Sequence, residues 1–113
     1  MGASENPSRY SFLAIKSLLT HNHSVVAIGK KAGSVHGIPI ITDKQLFTDI
    51  DTVTLYLNPS HQKQYYDYIL SLNPKRIIFN PGTENNEFAS LAKNNGIQVM
   101  EACTLVLLAT VQF

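Results

Sequence analysis

Short runs of β-branched and aromatic residues alternate along this chain with stretches of helical periodicity, joined by connections of a few residues. Strand-like runs occupy residues 24–28, after a polar His21-Asn22-His23 turn, then 51–57, 76–79 and 97–100. The first and third have unbroken apolar cores, the pattern of strands covered on both faces. Between them, residues 10–20 place Leu13, Ala14 and Leu18 at helical spacing, with Ile15 and Leu19 beside them. A second helix is expected from an N-cap at Ser60 to about Leu72, where Asn73-Pro74 stops it. Phe88, Leu91 and Ala92 mark the apolar face of a third, closed by a left-handed cap in Asn94-Asn95-Gly96. Residues 31–49 read as a looser stretch with one helical turn around Gln45, Leu46 and Phe47. Such alternation on short connections specifies an α/β fold with a parallel sheet and right-handed crossovers. No repeat, linker or composition break divides residues 1–113, a length suited to one domain.

Charge narrows the partners. Nine Lys and Arg against eight Asp and Glu leave a net charge of +1, too little basic surplus for general nucleic-acid binding. The apolar run 105–109 is far short of the ~20 residues that span a bilayer, and the opening MGASENPSRY has neither the basic nor the apolar part of a secretory signal. A single cysteine, Cys103, makes no internal disulfide and no cysteine zinc site. A soluble protein of the reducing cytoplasm, with no membrane and no metal, is expected.

In an open parallel sheet, ligands bind beyond the carboxyl ends of the strands, so those ends carry the functional signal. Before the first helix, Gly2 permits a close turn, while free amides and the hydroxyls of Ser4 and Ser11 can meet an anion at the helix N-terminus. Arg9 can add a charge-assisted bond to phosphate. The three-glycine dinucleotide pattern is absent, and Ser with Asn-Pro also starts helices that bind nothing. The first strand ends in Gly29-Lys30-Lys31 with no carboxylate beside it. A NAD site wants an acid there for the ribose hydroxyls, so the lysines favour a phosphorylated ribose, as in NADP or coenzyme A. The plain alternative is a solvated loop. The next two strands both run into Asn-Pro, as Asn58-Pro59 and Asn80-Pro81-Gly82. Asn-Pro is common turn chemistry, yet two copies at equivalent places are expected to aim amide side chains at a ligand cleft.

Taken in order, Gly2-Ala3-Ser4, Asn6-Pro7, Ser11, Val25-Val26 leading to Gly29-Lys30, Gly37, Asp51-Thr52-Val53, Asn80-Pro81-Gly82 with Glu84-Asn85, Gly96-Ile97 and Cys103 resemble the small single-domain CoA-binding proteins. These are similar to the nucleotide-binding domain that opens the alpha subunit of succinyl-CoA synthetase and the ADP-forming acyl-CoA ligases. The resemblance covers nearly the whole chain. It implies a Rossmann-like, three-layer α/β/α fold in which Gly2, Ala3, Ser4, Pro7 and Ser11 line a pyrophosphate loop. By the same resemblance Lys30 sits near the ribose-phosphate end, and Asn58, Pro59, Pro81 and Gly82 line the cleft. Two departures stand out. Family members begin with a short apolar strand before the glycine, of which only Met1 is left here, so the first strand reads as truncated and several upstream residues are expected in the natural protein. Where many relatives carry Asn-Pro, this chain has Gly29-Lys30, which alters the expected adenosine contacts.

Other reactive residues give weaker signals. His21 and His23 fall in a turn at the opposite sheet end and are expected to face solvent. His61 stands where a general base would, yet no Ser or Cys partner joins it. Cys103 reads as a small apolar residue rather than a reactive thiol. Tyr65, Tyr66 and Tyr68 read as packing rather than a base-stacking platform. The larger ligases work through a phosphorylated histidine and further domains, which 113 residues do not supply. The expected function is a CoA or acyl-CoA binding module without catalysis of its own. The rivals are a small NADP- or CoA-thioester-dependent enzyme using His61 or Cys103, and a homo-oligomeric or partner-bound interaction subunit. In the latter the cleft is vestigial and the apolar tail 105–113 docks on another protein.

Overall fold

The computed structural model describes residues 1–113, which form two compact units: Met1–Lys44 with Thr104–Phe113, and Gln45–Cys103. In the first unit, α1 (Tyr10–Thr20) is followed by β1 (Ala27–Ile28), β2 (Gly33–Val35) and β3 (Ile38–Ile41), and the chain returns to it as α5 (Thr104–Ala109). Between these, the second unit holds β4 (Thr52–Leu55), α2 (Pro59–Gln62), a 3₁₀ turn (Lys63–Tyr65), α3 (Tyr66–Ser71), β5 (Arg76–Phe79), α4 (Asn86–Asn94) and β6 (Gln98–Glu101).

The second unit carries the parallel sheet, in the order β4-β5-β6, with Val53 beside Ile77 beside Val99 in register. Ile77, Ile78 and Phe79 on its middle strand are all buried, as a strand covered on both faces requires. Phe88 of α4 stands edge-on to Phe79 at 6.0 Å and lies flat on Tyr66 at 4.4 Å, so one aromatic triple joins sheet to helices. The α/β class with a small parallel sheet is the observed one.

The first unit departs from the sequence expectation. Its sheet is mixed, in the order β1-β3-β2, because residues 31–49 contain a hairpin rather than a loose stretch. His36 and Gly37 both take positive φ (49° and 84°), which suits a two-residue turn between antiparallel strands. Pro39 sits on β3 opposite Ser34. It explains why β1 is two residues long instead of the five expected at 24–28. The parallel pairing of Ala27 with Ile40 cannot extend backwards, since Pro39 brings no N–H to the ladder. Ile15, Ala27, Val35 and Ile40 form the core of this unit, with Phe12, Leu19 and Ile38 packed around them. The helical turn expected around Gln45 does not form: the Gln45 carbonyl is taken by the Tyr68 hydroxyl, and Leu46 is exposed.

Two further corrections concern helices. The segment 60–72 is not one helix but α2, a 3₁₀ turn and α3. Tyr66, Tyr68 and Ile69 of α3 are all buried. Its N-cap is Asn58 rather than Ser60, because Pro59 takes the first helical position, where its missing N–H costs nothing, and the Asn58 carboxamide accepts from His61 N. Within the apolar tail 105–113, residues up to Ala109 belong to α5, packed on α1 with Leu107 and Leu108 buried and Val106 and Val111 exposed.

Helix ends follow one scheme. After α1, Asn22 (φ 65°) lets His23 N reach Leu18 O, and after α4, Gly96 (φ 76°) lets Ile97 N reach Ala92 O. After α5 the same double bond runs from Val111 N to Leu108 O and from Gln112 N to Leu107 O, with Val111 at φ 57°. A β-branched residue pays a steric penalty there that glycine does not. Val111→Gly is expected to raise stability by about 1 kcal/mol, read as a higher midpoint in thermal unfolding. A lower midpoint would show that the left-handed cap is not the native conformation.

Candidate ligand-binding site

The loop ahead of α1 is pinned to the end of β1. Gly2 turns with φ 89°, and the amides of Gly2 and Ala3 both donate to Ile28 O, at 2.8 and 2.9 Å. This corrects the expectation of a loop of free amides, since those two are consumed by the sheet. Asn6 N bonds Ser4 Oγ, Ser8 N bonds Asn6 Oδ1, and Arg9 N bonds Asn6 O, which coils residues 4–9 on themselves with Pro7 exposed at the tip. Phe12 N and Leu13 N close onto Arg9 O, so Tyr10 and Ser11 have no intrahelical partner for their amides. Arg9 occupies the N-cap without a side-chain cap bond, and no acid lies in the first turn. The N-terminus of an 11-residue helix is therefore left with its positive end uncompensated. Arg9 is exposed and Ser11 is buried at that turn.

Glu5, which sequence reading passed over, fixes this loop from the other side. Its Oε2 accepts from Ser34 N at 3.0 Å, and its carboxylate lies where a side chain at position 33 would stand, 2.3 Å from that Cβ. Gly33 makes room for it, and the bond to β2 ties up the one negative charge of the loop. Burial lowers the pKa of the Met1 amine to about 6 by penalising its charged form. Gly29 is buried at the end of β1, while Lys30 and Lys31 are exposed immediately beyond it.

In the second unit, the residues expected to line a ligand follow β4 and β5. Asn58, Pro59, Pro81 and Gly82 are exposed there, and Gly82 turns with φ 89°. The two asparagine side chains are not equivalent, as the paired Asn-Pro motif suggests they would be. Asn58 Oδ1 accepts from His61 N and Ser60 Oγ, capping its own helix. Asn80 is buried and turns back into the sheet, donating to Thr54 Oγ1 at 2.7 Å and Leu55 O at 2.8 Å. Each Asn builds its loop through these bonds, and the exposed Asn58 keeps its amide N–H groups outside the cap.

Beneath these loops lies a side-chain network with no sequence motif to announce it. The fully buried Gln62 donates from Nε2 to Leu57 O and to Thr83 O, and Asn85 Nδ2 donates to Gln62 Oε1 and to the Tyr66 hydroxyl. Burial pushes the Tyr66 phenol above its ordinary pKa. Each carbonyl left unpaired there would cost about 1–3 kcal/mol. His21, His23 and His61 are exposed, and Cys103 is half-buried at the end of β6. No helix is long and apolar enough to cross a membrane.

A solved structure of an uncharacterized protein is 46% identical and superposes with a TM-score of 0.97, over 99% of this chain and 93% of its own. A hypothetical protein from Pyrococcus horikoshii OT3 is 26% identical with a TM-score of 0.79, over 93% of this chain and 75% of its own. A protein from Thermus thermophilus shares the fold at 21% identity and a TM-score of 0.85, over 100% of this chain and 87% of its own. No curated protein matches the sequence. The model of the CoA binding domain family matches residues 1–109, across both compact units. On that match, and on the close superposition with its 46% identical neighbour, the chain belongs to the CoA binding domain family.

Proposed function

We propose that residues 1–113 act as one binding domain for CoA or an acyl-CoA, with the phosphates held at the N-terminus of α1 and the lysine pair, and with no bond-breaking group of its own. The observation that carries this is the family match over residues 1–109. The local chemistry agrees with it. An uncapped, acid-free N-terminus favours a diphosphate, and Arg9 beside it adds a charged donor. Lys30 and Lys31, exposed after β1 with no neighbouring acid in sequence, suit a 3′-phosphate and disfavour the bare ribose of NAD. NADP is the weaker candidate. Within the second unit, the exposed backbone about Asn58-Pro59 and Pro81-Gly82 is a candidate ligand-lining surface, with Asn80 holding the start of the loop after β5. A cytoplasmic location belongs to the same reading.

Calorimetric titration with CoA, dephospho-CoA, NADP and NAD at one salt concentration tests it. CoA is expected to bind most tightly. The double variant Lys30→Ala, Lys31→Ala is expected to lose roughly tenfold in CoA affinity and to bind CoA and dephospho-CoA alike, because two charge-assisted contacts to one phosphate have gone. Unchanged discrimination would remove the lysines from the site, and binding of none of the four ligands would overturn the reading.

A further inference from the structure

We propose that Gln62 is a positioning residue: it sets the spacing of the loops that follow β4 and β5 and, through that spacing, the fit of CoA. The inference rests on the CoA-binding reading above. A carboxamide offers two N–H donors and one carbonyl. Gln62 is 0% exposed and uses all of them, Nε2 reaching Leu57 O at 2.8 Å and Thr83 O at 2.7 Å while Oε1 accepts from Asn85 at 3.0 Å. Leu57 directly precedes Asn58-Pro59, and Thr83 directly follows Pro81-Gly82. One side chain is thus bonded to the backbone of both candidate ligand-lining loops of this unit.

The second shell of bonds holds the first. Asn85 gives its other N–H to Tyr66 Oη at 2.8 Å, and its Oδ1 caps α4 by accepting from Phe88 N at 3.1 Å. Gln62 cannot rotate without breaking a bond at each end. An apolar residue of the same volume would fill the space, yet it could not hold two carbonyls from separate loops at a fixed distance. Asn58 caps its own helix, and Asn80 ties the start of the second loop to the end of β4, while Gln62 joins the backbones of the two loops further along each of them.

The probes are CoA and adenosine 3′,5′-bisphosphate, which carries only the nucleotide end of CoA, titrated into the wild type, Gln62→Met and Gln62→Glu. Gln62→Met is expected to weaken CoA by about tenfold while the bisphosphate changes by less than about threefold. Gln62→Glu is expected to recover part of the CoA affinity as pH falls, when its buried carboxyl is neutral and can donate one bond. Equal weakening of both probes, or no weakening of CoA, in a folded Gln62→Met protein overturns the proposal. Should that variant not fold, Tyr66→Phe deletes the acceptor of Asn85, together with a hydrogen bond to Glu87, and keeps the ring on Phe88. It must then show the same split at about threefold, and equal or absent losses overturn the proposal. A wild type that binds neither probe overturns the CoA reading and the role of Gln62 with it. Intact wild-type CoA binding beside an unsplit variant overturns Gln62 alone.

Discussion

Phe88→Ala is expected to destabilise the chain by about 3–5 kcal/mol, the range for a fully buried aromatic truncated to a methyl group. Phe88 is 0% exposed, stacked on Tyr66 at 4.4 Å and edge-on to Phe79 at 6.0 Å. Removing the ring therefore empties a volume between helix and sheet and also ends two aromatic contacts. The loss reaches the loops as well, because Tyr66 anchors Asn85 and Asn85 caps α4 at residue 88 itself. Chemical denaturation of Phe88→Ala against Leu91→Ala measures it. Leu91 lies on the same helix but is 38% exposed, so its truncation is expected to cost under about 1 kcal/mol. Similar costs for the two variants would show that Phe88 is not the centre of this core.

How much of this the sequence discloses depends on how local each determinant is. The bounds of α1 and β5 coincide with the periodic runs at 10–20 and 76–79, since an amphipathic stripe and an apolar strand are written in consecutive residues. The β2–β3 hairpin was hidden because its turn begins on a non-glycine residue, His36, and because Pro39 argues against a strand until β1 is seen to pair only beyond it. α5 is hard to see in the sequence because five apolar residues after Thr104 carry no cap signal, and its stop is a valine where Asn or Gly would have been informative.

The candidate site divides along the same line. The turns at Gly2 and Gly82 are legible, since both take the positive φ that a glycine in such a place announces. The destinations of the side chains are not. Asn58 and Asn80 share an Asn-Pro context, yet one bonds three residues ahead and the other reaches back 25 residues to Leu55. Gln62 meets Thr83 across 21 residues, a pairing no spacing rule encodes. Which polar group faces a ligand is decided by which ones the fold has already used.

Gly29→Ala puts that principle to its sharpest test, with an expected loss of about 2–3 kcal/mol in stability and a clear loss of CoA affinity. The reason is proximity, not backbone conformation. A Cβ at position 29 would lie 2.4 Å from Ala3 O and 3.0 Å from Ile40 Cγ2. The carbonyl cannot swing away, because Gly2 N and Ala3 N hold that loop on Ile28 O, and residue 29 cannot retreat, because its own amide bonds Ile41 O. The methyl group must therefore push residues 1–4 off the end of β1, which displaces the start of the proposed phosphate loop. Gly37→Ala is the control. Its φ of 84° strains any other residue, but no atom lies within 4 Å of the added Cβ, so about 1–2 kcal/mol and no change in ligand affinity are expected. Urea unfolding and CoA titration of the two variants separate close approach from left-handed strain. If Gly29→Ala costs no more than Gly37→Ala and binds CoA as the wild type does, the loop does not rest on β1, and the phosphate site must be sought elsewhere in the chain.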